Sequence, residues 1–238
     1  MKFTYSIPTK ILFGPGSFND LATTPLPGKK ALVVITAGKS MRANGYLDRL
    51  IDMLDEQGIG HALFDKILPN PVLRHVHEGA ALAREQGCDF VIGLGGGSSI
   101  DSAKSIAVMA KNPGDYWDYI SGGSGKGQPL VNGALPIVAI ATTAGTGTEA
   151  DPWTVITKED TNEKIGFGCA ETFPVLSVVD PEMMLTIPAH LTAYQGFDAL
   201  FHATEGYIAN VATPLSDAYA LKSIELLAKY LPAAVKDG

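Results

Sequence analysis

The chain has 238 residues, 46% of them apolar, and a formal net charge of -7. That is enough for one large domain or two smaller ones around a proper core. The acidic balance argues against nucleic acid and anionic membrane as partners, and its even spread along the chain reads as solubility rather than an acidic tail.

The first half alternates short apolar runs with helical patterns. "KALVVIT" (30–36) predicts a buried strand, and "GYLDRLIDMLDEQG" (45–58) predicts the helix after it. "GHALFD" (60–65) is a second strand, followed by a helix over 72–87 that ends at Gly87. "DFVIGLGGG" (89–97) and "SSIDSAKSIAVMA" (98–110) repeat the unit, and "LPIVAIAT" (135–142) is a fourth strand. Strands separated by helices require crossover connections, hence a parallel sheet. Residues 114–134 read as a polar, Gly-rich loop with a short helix, and 153–168 as a β-hairpin turning near Thr161–Asn162. One more strand falls in 174–184 and ends at Asp180–Pro181. Beyond Pro188 the pattern is helical over 191–211 and 214–231. The expected fold class is therefore α/β: a Rossmann-like parallel-sheet domain over 1–188, then the start of an all-α domain over 189–238. Two helices give apolar positions such as Leu221, Ile224 and Leu227 few partners. An exposed apolar patch and association into a homo-oligomer are expected.

The two cysteines, Cys88 and Cys169, lack metal-ligand spacing. With no apolar signal core at the N-terminus and no bilayer-length apolar run, the expected setting is reducing and cytoplasmic.

Three predicted strands run into turns of small polar residues: "TAGKS" (36–40), "GGGSS" (95–99) and "TTAGTGT" (142–148). In a parallel sheet these turns share the carboxyl edge, where ligands bind at the point of strand-order reversal. In "GGGSSID", Gly95, Gly96 and Gly97 clear space for a diphosphate. Ser98 is placed to cap the helix, with Asp101 three residues on. The helix start would offer N–H groups and a positive dipole end to an anion. A tight strand–helix turn also needs glycine, so the loop alone is ambiguous; its two sister loops favour ligand binding. Neither "AGKS" nor "GSGKG" is a P-loop: the required upstream glycine is Val33 in the first and Ile120 in the second. The G-x-G-x-x-G fingerprint also fails, with Ser98 at its third glycine.

Asp198 and His202 in "GFDALFHATEG" lie four apart, on one helix face. A carboxylate and an imidazole so placed can share a divalent ion such as Fe²⁺ or Zn²⁺. They are equally an i,i+4 surface pair, and two ligands fall short of the usual three or four. His75 and His77 read as partly exposed helix residues, and His190 as structural.

Together, "GGGSSIDSAK", "ATTAGTGTEA" and "VVDPEMMLTIP…GFDALFHATEGY" resemble the iron-containing (group III) alcohol dehydrogenases, from "FGPGS" (13–17) onward. The resemblance implies an N-terminal dinucleotide-binding domain, a C-terminal helical domain and a metal between them. It implies that Asp198 and His202 are metal ligands for iron or zinc. On the cofactor side it implies Gly96, Gly97, Ser98 and Asp101 beside the pyrophosphate, and Thr142, Thr143 and Thr146 on the cofactor. Lys164 would lie near it, and Asn70 near its ribose. The activity implied is metal-dependent alcohol oxidation or aldehyde reduction with NAD(P). A small alcohol or aldehyde is the partner, and no general base is assigned.

Departures from the pattern carry expectations of their own. Gln195 stands where the family usually has a small residue. The first strand ends in Thr36, Ala37, Gly38, Lys39 and Ser40, without the carboxylate that would hold a ribose 2′-OH. With Thr36 and Ser40 at the ribose and Lys39 and Arg42 nearby, NADP(H) is expected over NAD(H). No histidine follows His202, so half of the family's metal site is missing and the chain is expected to be truncated or incomplete. The alternatives are a glycerol-dehydrogenase-like or dehydroquinate-synthase-like enzyme, or a non-catalytic dinucleotide-binding fragment.

Overall fold

A computed structural model describes residues 1–237. Six strands form one parallel sheet: β1 (Lys10–Phe13), β2 (Lys30–Thr36), β3 (Gly60–Ile67), β4 (Phe90–Gly95), β5 (Ile137–Ala141) and β8 (Leu176–Val179). Their spatial order is β1-β8-β5-β4-β2-β3. The central strands β4 and β5 are buried along their whole length, as their near-continuous apolar sequences demand. β6 (Thr154–Lys158) and β7 (Glu163–Phe167) make the separate antiparallel hairpin, with Asn162 in the left-handed region at φ 56° in its turn.

Helices cover both faces of the sheet. α2 (Tyr46–Glu56) packs Tyr46, Leu47, Leu50 and Leu54 against Val33, Ile35, Ile92 and Ile140. On the other face, α3 (Leu73–Glu85) and α4 (Gly97–Lys111) pack Val76, Ala80, Ala103 and Ile106 against Leu32, Val34 and Val91. Alternate residues of β2 thus enter opposite cores, which follows from the two-residue period of a strand. α4 lies so close to β4 that a Cβ on Gly93 would come within 2.9 Å of the Ile100 Cα.

Between β2 and α2 the chain makes one short helix, α1 (Ser40–Ala43). After Pro188 it is helical: α5 (Ala189–Ile208) and α6 (Pro214–Asp237) pack on each other. No helix among the described residues is long and apolar enough to cross a membrane.

Chain order reverses beside β2. The chain moves outward from β2 to β3, then returns to place β4 on β2's other side. The crevice between the carboxyl ends of β2 and β4 is therefore the topological switch point.

The structure adds one strand, sharpens the bounds of another and corrects one burial. β1 was not foreseen: it is four residues long and pairs only with β8, more than 160 positions along the chain. The 174–184 segment is strand only over Leu176–Val179; Asp180 then accepts a hydrogen bond from the Glu182 N–H (2.9 Å) and starts a 3-10 turn at Pro181–Met184. His75 is buried, edge-on to Phe64, rather than partly exposed.

Candidate functional site: a cleft at the carboxyl edge of the sheet

The "GGGSS" and "TTAGTGT" loops interlock because the first has no side chains. A Cβ on Gly96 would lie 2.8 Å from Thr143 Oγ1, and one on Gly97 would lie 2.9 Å from Thr146 Cγ2. Gly95 has φ 142°, and Ser99 Oγ occupies the space a Cβ would need. These glycines therefore answer to two demands, a turn and the close approach of the threonine loop.

α4 begins at Gly97, with Gly96 in the N-cap position and no side-chain cap among the described residues. This corrects the expectation that Ser98 caps the helix. Ser98 lies inside the first turn, and its carbonyl accepts the Ser102 hydroxyl at 2.7 Å. An uncapped helix start keeps its N–H groups and positive dipole end available to an anion. Asp101 is not a capping partner either. Its carboxylate accepts from Thr148 Oγ1 (2.7 Å) and from the Val155 N–H (2.9 Å), tying α4 to the threonine loop and the hairpin. Burial pushes the Asp101 carboxyl above its ordinary range, against the pull of those bonds.

Lys104, one turn further along α4, was missed in the sequence. Its side chain is fully buried. The ammonium donates to Thr148 Oγ1 (2.7 Å), to the Asp151 carbonyl (2.8 Å) and carboxylate (3.2 Å), and to the Trp153 carbonyl (2.8 Å). Burial lowers its affinity for a proton, and Asp151 and Asp101 counter that. The available signal was a lysine on the apolar stripe of α4 with Ile100, Ala103 and Ala107.

α5 closes the far side of the loop. The Gln195 amide oxygen accepts from the Ala144 N–H (2.9 Å), so this departure from the family pattern anchors the threonine loop. His202 Nδ1 lies 3.1 Å from the Gly145 carbonyl oxygen. A carbonyl only accepts, so Nδ1 is the donor in this contact and Nε2 is the ring nitrogen left for another partner. Asp198 Oδ2 lies 3.9 Å from His202 Nδ1. Asp198 and His202 thus suit a divalent ion as donors, but no group of three or more candidate ligands occurs among the described residues.

All thirteen candidate residues line one of two adjoining cavities. Thr36, Ser40, Gly96, Thr142 and Thr143 line a space of about 730 Å³ above the switch point. Asn70, Asp101, Lys164 and His202 line a neighbouring space of about 650 Å³. Gly97, Ser98, Thr146 and Asp198 belong to both and join them into one cleft. Lys164 reaches from β7 to donate to Asn70 Oδ1 (2.8 Å), and Asn70 holds φ 60° to present that oxygen. Trp153, also missed, lines the second space.

The chain matches the model of the family described as iron-containing alcohol dehydrogenase over residues 8–181, and that of the family's C-terminal part over 192–238. The chain belongs to the iron-containing alcohol dehydrogenase family. It is 40% identical to a choline dehydrogenase of Bacillus subtilis, covering 99% of this chain and 58% of that one. It is 38% identical to an NAD-dependent methanol dehydrogenase of Bacillus methanolicus, covering 98% and 60%. Among solved structures, it superposes on NADH-dependent butanol dehydrogenase A from Thermotoga maritima with TM-score 0.89 at 33% identity, covering 98% and 57%. The glycerol-dehydrogenase-like and dehydroquinate-synthase-like alternatives are not favoured by these matches. The chain spans about three-fifths of the length of these relatives.

Proposed function

We propose that this chain carries the dinucleotide-binding half of an NAD(P)-dependent alcohol dehydrogenase or aldehyde reductase, with residues 1–188 as that unit and 189–238 as the start of a helical one. The observation that carries the reading is the single cleft at the switch point, where two interlocked loops meet Asp198 and His202. The start of α4 and the glycines beside it receive the pyrophosphate. Thr142, Thr143 and Thr146 hold the nicotinamide side, and Asn70 with Lys164 fixes the ribose side. Asp198 and His202 Nε2 supply two of the donors for iron, which when bound serves as a Lewis acid toward the alcohol oxygen. No third candidate ligand groups with them among the described residues. The cytoplasm is the proposed setting.

The choice of cofactor turns on Arg42. The expectation of NADP(H) counted it as a cation free to meet a 2′-phosphate, but its guanidinium is paired with Asp65 at 2.6 Å. That carboxylate neutralises the arginine, and the relatives described as NAD- or NADH-dependent point the same way. We therefore favour NAD(H). The second reading, NADP(H), keeps one observation: residues 36–40 offer no carboxylate to repel a 2′-phosphate.

The test is to titrate the chain with NADH and with NADPH, then to assay reduction of each oxidised cofactor with primary alcohols and added Fe²⁺. Tighter NADH binding and alcohol-dependent NAD⁺ reduction are expected. Failure to bind either cofactor rejects the reading. Binding of both without turnover favours a dinucleotide-binding fragment.

A further inference from the structure

Trp153 is a large side chain of the cleft that the reading above leaves without a role. It is 57% exposed, yet it is not loosely held. Its backbone N–H donates to Asp151 Oδ1 (2.7 Å), and its backbone carbonyl accepts from the buried Lys104 ammonium (2.8 Å). Behind the indole lie Gly166 on β7 and Gly168 just past it. A Cβ on Gly168 would come within 3.0 Å of the ring. A buried cation, a carboxylate and two side-chain-free positions thus hold a bare tryptophan in place.

Its position sets it beside Asp198 and His202, in the space that Asn70 and Lys164 also line. Thr36 and Ser40 line only the space above the switch point, whereas Trp153 lines only the neighbouring one, with Asp198 and His202. Most of the residues that line it are polar, and Trp153 is the one Trp, Tyr or Phe among them. Rigid apolar surface exposed among polar side chains is what a ligand's carbon skeleton covers, while the polar groups orient its reacting end.

We propose that Trp153 is a specificity-determining residue that limits the width of the alcohol admitted beside Asp198 and His202, favouring narrow, unbranched primary alcohols. The proposal rests on the alcohol-dehydrogenase reading. Shortening the side chain opens the space, and crowding it from behind closes it.

The experiment compares kcat/KM for n-propanol and benzyl alcohol in the iron-loaded protein, beside the NADH Kd of each variant. In Trp153→Ala the preference should move toward benzyl alcohol by about tenfold, the scale on which apolar pockets discriminate. Trp153→Phe should move it less in the same direction, and Gly168→Ala should move it toward n-propanol. The NADH Kd should stay unchanged throughout. An unchanged preference in the Trp153 variants overturns the proposal. So does a change confined to the NADH Kd, which would place the indole on the cofactor. If Trp153→Ala does not fold, Trp153→Phe and Gly168→Ala decide. A parent protein that binds NADH but oxidises neither alcohol rejects the dehydrogenase reading, and this proposal falls with it.

Discussion

Lys104 shows how much one buried charge organises. Its ammonium engages three residues of the 148–153 segment, and Thr148 passes the connection to Asp101. Removing one member of a buried charged network costs more than the network contributes, because the partners keep their desolvation penalty. Lys104→Met should therefore destabilise the protein by about 3 kcal/mol, read as a lower urea midpoint. It should also weaken NADH binding, because Thr148 and the threonine loop lose their anchor to α4. Gln195 carries a related lesson. The family resemblance reads it only as a departure, while its bond to the Ala144 N–H makes it a strut for the threonine loop. Which backbone group an amide meets 51 residues away is not written in its neighbours.

Elements were legible wherever periodicity and punctuation agree. β2 occupies 30–36 as expected, and α2 and α3 lie within two residues of their expected bounds. Local rules failed where a distant group competes. Asp101 stands three residues after Ser98, the spacing of a capping box, but Thr148 and Val155 claim its carboxylate. Gly93 belongs to the packing of β4 on α4 rather than to a phosphate turn. Gly93→Ala should cost about 2 kcal/mol by overpacking, since the Ile100 Cα cannot yield, and thermal denaturation would show it. The hairpin supplies a pH prediction. Glu163 accepts from the Ser124 N–H and from the Ser124 and Thr161 hydroxyls, which lowers its pKa from 4.5 to about 2. A carboxylate with a depressed folded pKa stabilises fully above its unfolded value and loses that contribution as pH falls through the folded one. The stability difference between the native protein and Glu163→Gln should be largest above pH 4.5 and shrink as pH drops toward about 2. Denaturation midpoints across that window test this, and a difference independent of pH would rule it out.

At the scale of the molecule, the expected apolar patch is present on the helical pair. Phe197, Phe201 and Ile208 on α5 and Leu221, Leu226 and Tyr230 on α6 are exposed. Water-exposed apolar surface of this extent drives association. The chain should sediment as a species larger than 25.1 kDa at high protein concentration, and Phe201→Lys with Leu221→Lys should reduce that association. A monomer at every concentration would refute the expectation.

Sequence alone determined the alternation of strands and helices, the parallel sheet, and the three small-residue loops at strand ends. Each follows from hydrophobic period and turn chemistry within a few residues of chain. It also yielded the family and all thirteen candidate residues, through motifs whose order along the chain is specific. Tertiary structure decided what those motifs do to one another. It placed the switch point beside β2, fitted Thr143 and Thr146 against Gly96 and Gly97, turned His202 Nδ1 to the Gly145 carbonyl, and buried Lys104 beneath the cleft. These outcomes depend on contacts spanning tens of residues, where a side chain's partner is set by the packing of whole elements.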